Sequence, residues 1–289
     1  MRTDEFDYTL PPGAIAQQPV EPRDAARLLR ADLLEDRKFS ELPALLTPGD
    51  LLVVNRTKVR AARLRGTKTA TGGAIELLLI RRLDDLRWEA LVRPARRIHK
   101  GTRLTLGRID GKVLSDPASG EIVVALHARD RDIDDLLVED GELPLPPYIH
   151  EPLDDSDRYQ TVFAKRVGSA AAPTAALHFT PMLVDSLHSA GISIAEVDLE
   201  VGLDTFRPIS VPVIDEHEMH RESWEVPEET ANAVTECRRR GGRVVAVGTT
   251  VVRTLESAAQ NDGLVGAARG YTNRCISPGC RLEVTAGEA

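Results

Sequence analysis

The stretch RVVAVGTTVVRTLES, Arg243–Ser257, joins an apolar run to a hydroxyl-bearing helix start through Gly248. Val244–Val247 has the character of a buried strand, and Thr249 and Thr250 open an amphipathic helix. Arg253 follows one turn in, with Glu256 at i+3 from it. The free N–H groups and dipole of such a helix start favour an anionic or polar ligand. On that reading Arg253→Ala is expected to abolish ligand binding and leave the fold intact. An ordinary capped strand–helix junction carries the same local pattern, so the companions of this motif decide between the two.

Four further clusters fall on element boundaries. His178 stands in APTAALHFT just ahead of a helix, where a lone histidine also serves as a cap or packing residue. Arg207, in Thr205-Phe206-Arg207-Pro208, follows a strand ending at Glu200-Val201-Gly202, and open α/β sheets bind ligands at the carboxyl ends of strands. His217 and His220 are three apart with Glu218 between them. The zincin pattern places its histidines four apart on a helix, so this segment is read as a loop or strand entry binding a ribose or base edge, and no metal is expected. Tyr148 and Tyr159, in GELPLPPYI and DRYQTVFA, offer stacking faces or fill a seam. Nucleophile-elbow, Walker and dinucleotide glycine patterns are absent.

These residues need elements to position them. The 289 residues suffice for two ordinary domains, and 42% hydrophobic with 28% charged composition fits a globular chain. The acidic, Pro-containing N-terminus lacks the apolar core of a secretory signal, no apolar run nears the ~20 residues of a membrane span, and a cytoplasmic location is expected. Cys237, Cys275 and Cys280 read as free thiols rather than zinc ligands. LLVV before Asn55 reads as a central strand and FSELPALL as a helix ending at Pro48-Gly49, with Asp24 capping a short turn and Leu28 and Leu29 entering a core. From Lys58 to Pro146 six short runs, separated by Gly, Asp or Pro, predict a small barrel in which Ile75, Leu77, Leu79, Trp88, Ala90 and Val92 face inward. Strand–helix alternation then returns over 177–257. The expected fold is therefore α/β, a mostly parallel sheet domain over 1–57 and 147–289 with an inserted all-β barrel over 58–146.

Charge is uneven along this plan. Residues 56–108 hold 15 Lys/Arg against 4 Asp/Glu inside a chain of net charge −8. That is the footprint of a phosphate-binding surface, or of a solvated arginine-rich face.

Taken together these segments resemble the S-adenosylmethionine:tRNA ribosyltransferase-isomerase family of the queuosine pathway. The matching stretches run from Ile15-Ala16-Gln17 and Glu21–Leu29 through Pro48–Thr57, GELPLPPYI, DRYQTVFA, AAPTAALHFT, TFRP and HEMHRESWEVP to VGTTVVRTLES. The resemblance implies an α/β domain with an inserted barrel. It implies transfer and isomerisation of the ribosyl group of S-adenosylmethionine onto 7-aminomethyl-7-deazaguanine in the tRNA wobble position, leaving epoxyqueuosine-tRNA, adenine and methionine. S-adenosylmethionine enters as substrate and no cofactor is implied. The anticodon stem-loop would lie on the basic segment 56–108, and a monomer is expected. By this resemblance His178, His217, His220, Arg207, Arg253 and Glu256 surround the ribose, with Thr249 and Thr250 at the helix start. Arg23, Asp24, Arg27, Asn55 and Thr57 form the opposite wall, and a histidine or Glu200 serves as base.

The chain departs from the family pattern at four places. Glu200 stands for a histidine and Asp204 for a glycine, Arg56 for an aspartate, and Ala176 for a glycine. The family pattern also runs on past Pro278-Gly279 into a segment expected to complete the pocket. Two other readings therefore stand beside the first: an S-adenosylmethionine-using enzyme with a small-molecule acceptor, and a non-catalytic relative that binds nucleoside or RNA.

Overall fold

In the computed structural model the chain forms two compact units, residues 1–58 with 147–289, and residues 59–146. The structure describes all residues except 12, 119, 129–130, 152, 154, 203–208, 218, 220, 261–262, 286 and 289. Arg207 and His220 therefore lie outside the described residues.

The first unit begins with a 3-10 turn, Arg23–Ala25, and a hairpin of β1 (Arg27–Arg30) with β2 (Glu35–Lys38). Strand alternation sends Leu28 towards the core and leaves Leu29 59% exposed, so only one of the two leucines expected inside is there. A short α1 (Leu42–Leu45) leads into β3 (Leu51–Asn55), and β4 (Thr57–Val59) follows.

The second unit is a closed barrel. Its strands are β5 (Arg63–Lys68), β6 (Ala74–Arg82), β7 (Arg87–Arg93), β8 (Arg103–Leu106), β9 (Ile109–Val113) and β10 (Glu121–Ala128). They close in the order β10-β7-β6-β5-β8-β9, every recorded pairing antiparallel. Ile75, Leu77, Leu79, Trp88, Ala90 and Val92 all face the interior, as their period-2 spacing demands. One helix, α2 (Ile133–Asp140), adds Ile133, Leu136 and Leu137 to the same core, its start capped by the Asp132 carboxylate accepting the Asp134 N–H at 2.8 Å.

The remaining elements complete the first unit. They are β11 (Arg166–Ser169), α3 (Pro181–Ser189), β12 (Ser193–Leu199), β13 (Glu222–Val226), α4 (Glu228–Arg239), β14 (Val244–Ala246), α5 (Thr249–Ala258), β15 (Ala268–Thr272) and β16 (Gly287–Glu288). β11 pairs with β4, and a six-stranded sheet runs in the order β15-β13-β12-β3-β14-β16. The β12–β3, β3–β14 and β14–β16 pairs are parallel; β12–β13 and β13–β15 are antiparallel. Helices explain why β3 is buried at all five positions. Leu51 and Val53 pack with Val234 of α4 and Leu255 of α5, whereas Leu52 and Val54 pack with Leu183 and Leu187 of α3. A strand covered on both faces reads as a continuous apolar run. The Thr180 hydroxyl accepts the Leu183 N–H at 3.1 Å and Pro181 takes the first helical position, which fixes where α3 begins. Among the described residues no helix is long and apolar enough to cross a membrane.

Candidate functional site

Because β3, β12 and β14 are parallel, their carboxyl ends share one edge of the sheet. Asn55, Glu200 and Gly248 stand at or just beyond those ends. This edge is where open α/β sheets place ligands.

The strand ends are tied together by a buried polar cluster. The Asn55 amide donates to the Leu199 carbonyl at 2.9 Å, and its Oδ1 accepts the N–H of Leu199 at 3.3 Å and of Thr57 at 3.1 Å. The Ser169 hydroxyl donates to Thr57 Oγ1 at 2.8 Å and accepts the Val201 N–H at 3.0 Å. Asn55 and Thr57 are essentially inaccessible. Their polar atoms meet backbone and each other, holding β3 and β12 in register.

At the next strand end Gly248 takes φ +84°, a left-handed conformation suited to glycine, and has no side chain with which to cap α5. A Cβ there would come within 3.1 Å of Ala175, so the turn Thr174–His178 lies directly against this junction. His178 Nδ1 bonds the Ala175 carbonyl at 3.0 Å and its ring packs on Phe39, 5.2 Å between centroids. The turn that carries His178 thus lies at the start of the Thr249-Thr250 helix. Thr249 is exposed, while Thr250 Oγ1 is buried without a hydrogen-bond partner among the described residues. Asp24 accepts the Thr180 hydroxyl at 3.0 Å, and Arg23 donates to the carbonyls of Gln160 and Asp157 at 2.8 and 3.0 Å. Arg27 is elsewhere, paired on the exposed hairpin with Asp36 at 2.9 Å. His217 follows the turn Ile214–Glu216, half-buried, and among the described residues no contact brings it to the others.

Arg253 and Glu256 do not pair with each other. Arg253 is 6% exposed and forms an ion pair with Glu222, itself 7% exposed, and donates to the Arg274 carbonyl at 2.8 Å. Glu222 also accepts the Gly202 N–H at 2.7 Å. Only Nη2 of Arg253 lacks a partner among the described residues. This pairing argues against the expectation that Arg253→Ala spares the fold, since it would leave the Glu222 carboxylate buried without its cation. Glu256, 2% exposed, accepts the N–H groups of Glu283, Val284 and Thr285 at 2.9–3.1 Å, clipping the C-terminal segment to α5. Tyr159 is also buried, its phenol pushed up to about 12 by burial, whereas Tyr148 is exposed.

Sequence reasoning named Glu200 but missed its neighbours. A cavity of about 380 Å³ opens over the face of β12, β13 and β15, bordered by Glu200, Ser223, Trp224, Arg269 and Tyr271. The signal was present in HEMHRESWEVP, whose ESWEV alternation marks a strand, but its partner strands are far off in sequence.

On the barrel, charge divides in two. Arg65 pairs with Glu142, Arg82 with Asp134, Arg87 with Asp84, and Arg108 with Glu139 and Asp140, at 2.5–3.0 Å. Arg93, Arg96, Arg97, Lys100 and Arg103 are exposed and have no side-chain ion pair among the described residues. Within the expected cationic segment these five, together with exposed Lys58, are cations without an ion pair among the described residues.

A mixed sheet with helices on both faces and a closed antiparallel barrel define an α/β protein of two units. The model of the queuosine biosynthesis protein family matches residues 3–287, and the chain belongs to that family. It is 51% identical over 289 residues to the S-adenosylmethionine:tRNA ribosyltransferase-isomerase of Moorella thermoacetica, covering 98% of this chain and 84% of that one. Identity to the protein of the same description from Symbiobacterium thermophilum is 47%, with the same coverage. A solved S-adenosylmethionine tRNA ribosyltransferase from Thermotoga maritima is 36% identical, covering 98% of this chain and 82% of that one, with a TM-score of 0.48.

Proposed function

We propose that this chain transfers and isomerises the ribosyl group of S-adenosylmethionine onto 7-aminomethyl-7-deazaguanine in the tRNA wobble position, giving epoxyqueuosine-tRNA, adenine and methionine. The observation that carries the reading is 47–51% identity to ribosyltransferase-isomerases across 98% of this chain. The arrangement at the sheet edge supports it. A primary amine must lose a proton to act as nucleophile, and Glu200, His178 and His217 are the candidate acceptors. The helix start at Thr249-Thr250 gives polar groups for the ribose, and the exposed cations over 93–103 suit the anticodon stem-loop phosphates.

The test is adenine release from S-adenosylmethionine with and without a stem-loop carrying the aminomethyl base. RNA-dependent release is expected. Release that ignores RNA would assign a small-molecule acceptor, and none at all would overturn the reading. Arg96→Ala with Arg97→Ala should flatten the dependence of log K on log salt by roughly 1.4, at about 0.7 per single-strand phosphate contact. Arg108→Ala, whose charge is already neutralised, should leave the slope near that of the unaltered protein.

A further inference from the structure

We propose that Glu200, Ser223 and Tyr271 form a binding site for a planar nitrogen heterocycle bearing a cationic substituent. The inference rests on the reading above and assigns substrate chemistry to one face of its sheet.

Register places these residues together. Asp198 stands opposite Glu225 and Glu225 opposite Arg269, while Ser223 stands opposite Tyr271. The ladder continues beyond β12, where the Glu200 N–H donates to the Ser223 carbonyl at 2.9 Å. Residues directly opposite share a face, so the sheet carries two neighbouring rows. Both acids of the first row are held. Arg166 reaches Glu225 at 2.8 Å and Asp198 at 3.5 Å, and Arg56 holds Asp198 at 2.9 Å. The second row is open. The side chains of Glu200 and Ser223 have no hydrogen-bond partner among the described residues, although Glu200 is half-buried.

The three members differ in a useful way. Tyr271 is 57% exposed and presents a ring whose negative face already draws the Arg221 guanidinium to 5.0 Å. Ser223 supplies a hydroxyl in the middle, and Glu200 at the far end a carboxylate with no hydrogen bond or ion pair among the described residues, its nearest cationic influence being Arg166. Three strands at ~4.8 Å spacing set these ends about 10 Å apart. That span suits a ring stacked on Tyr271 with a cationic arm reaching Glu200. Gly168 of β11 makes room for the acid, since a Cβ there would sit 2.8 Å from Glu200 Oε1. The cavity of about 380 Å³ lies within the range of small-ligand sites.

Two substrates of the proposed reaction carry this chemistry, S-adenosylmethionine with its adenine and cationic groups, and the aminomethyl base with its ammonium. Calorimetric titrations of the full chain distinguish them. Tyr271→Ala and Glu200→Gln are each titrated with S-adenosylmethionine, and with stem-loops carrying either aminomethyl-deazaguanine or guanine. Tyr271→Ala should weaken the occupant's binding roughly ten-fold, the scale of one base–aromatic stack. If the base is the occupant, Glu200→Gln erases the preference for the aminomethyl over the guanine stem-loop and leaves S-adenosylmethionine affinity as it was. If S-adenosylmethionine is the occupant, its affinity falls and the stem-loop preference persists. Gly168→Ala should reproduce the Glu200→Gln result by displacing the carboxylate. Unchanged affinities for every ligand in both Tyr271→Ala and Glu200→Gln would overturn the site. Adenine release by the unaltered protein tests the reaction separately, so the reaction and the site can fail independently.

Discussion

Two polar clusters stand at the same edge of the sheet and are finished differently. In the Asn55–Thr57–Ser169 cluster the recorded polar atoms meet a partner, most of them on β3 or β12. Around α5, Thr250 Oγ1 and one nitrogen of Arg253 meet none among the described residues. Buried polar groups are ordinarily satisfied, because leaving one bare costs about 1–3 kcal/mol. The first cluster is thus complete within the fold, and the second leaves two buried polar atoms without a partner among the described residues.

The contrast can be broken most severely at the Arg253–Glu222 pair. Arg253→Ala should lower stability by roughly 3–5 kcal/mol, the cost of stranding a buried charge, as read from urea unfolding. A loss under about 1 kcal/mol would return Arg253 to a role in ligand binding only. Asn55→Ala comes next. Losing its contacts to Leu199 and Thr57 should cost about 2–3 kcal/mol, with ligand affinity of the folded fraction unaltered. An affinity loss larger than the stability loss would move Asn55 into the site. Thr250→Val sharpens the comparison at the smallest scale. Removing an unpartnered buried hydroxyl should raise stability by up to about 1 kcal/mol, while S-adenosylmethionine affinity falls several-fold. Full affinity in that variant would mean the hydroxyl serves no ligand.

Sequence periodicity carried the barrel well. Ile75, Leu77, Leu79, Trp88, Ala90 and Val92 alternate, and alternation has one physical reading in a small closed sheet. Thr180-Pro181 and Gly191 bounded α3 for equally local reasons. The hairpin Arg27–Lys38 was missed because its four-residue strands alternate weakly and its caps mimic a helical turn. At the site, the types were legible and the partnerships were not. Arg253 and Glu256 looked like neighbours on one helix, yet each is claimed by a residue some thirty positions away, Glu222 and Val284. Such pairings depend on which strands lie side by side, and no spacing rule encodes that.

The parallel pairing of β3 with β12 also bears on how the protein is made. Leu51 must wait for Ser193, about 140 residues later, before its strand gains that neighbour. At ~5–20 residues per second a ribosome needs roughly 7–28 s to deliver it. During that interval a strand destined to be buried at every position is bare, while the barrel, whose pairings lie within 59–146, has all its own partners in hand. The inserted unit is expected to fold on the nascent chain ahead of the sheet that interrupts itself to contain it, leaving the apolar run at 51–54 as the segment most in need of chaperone cover.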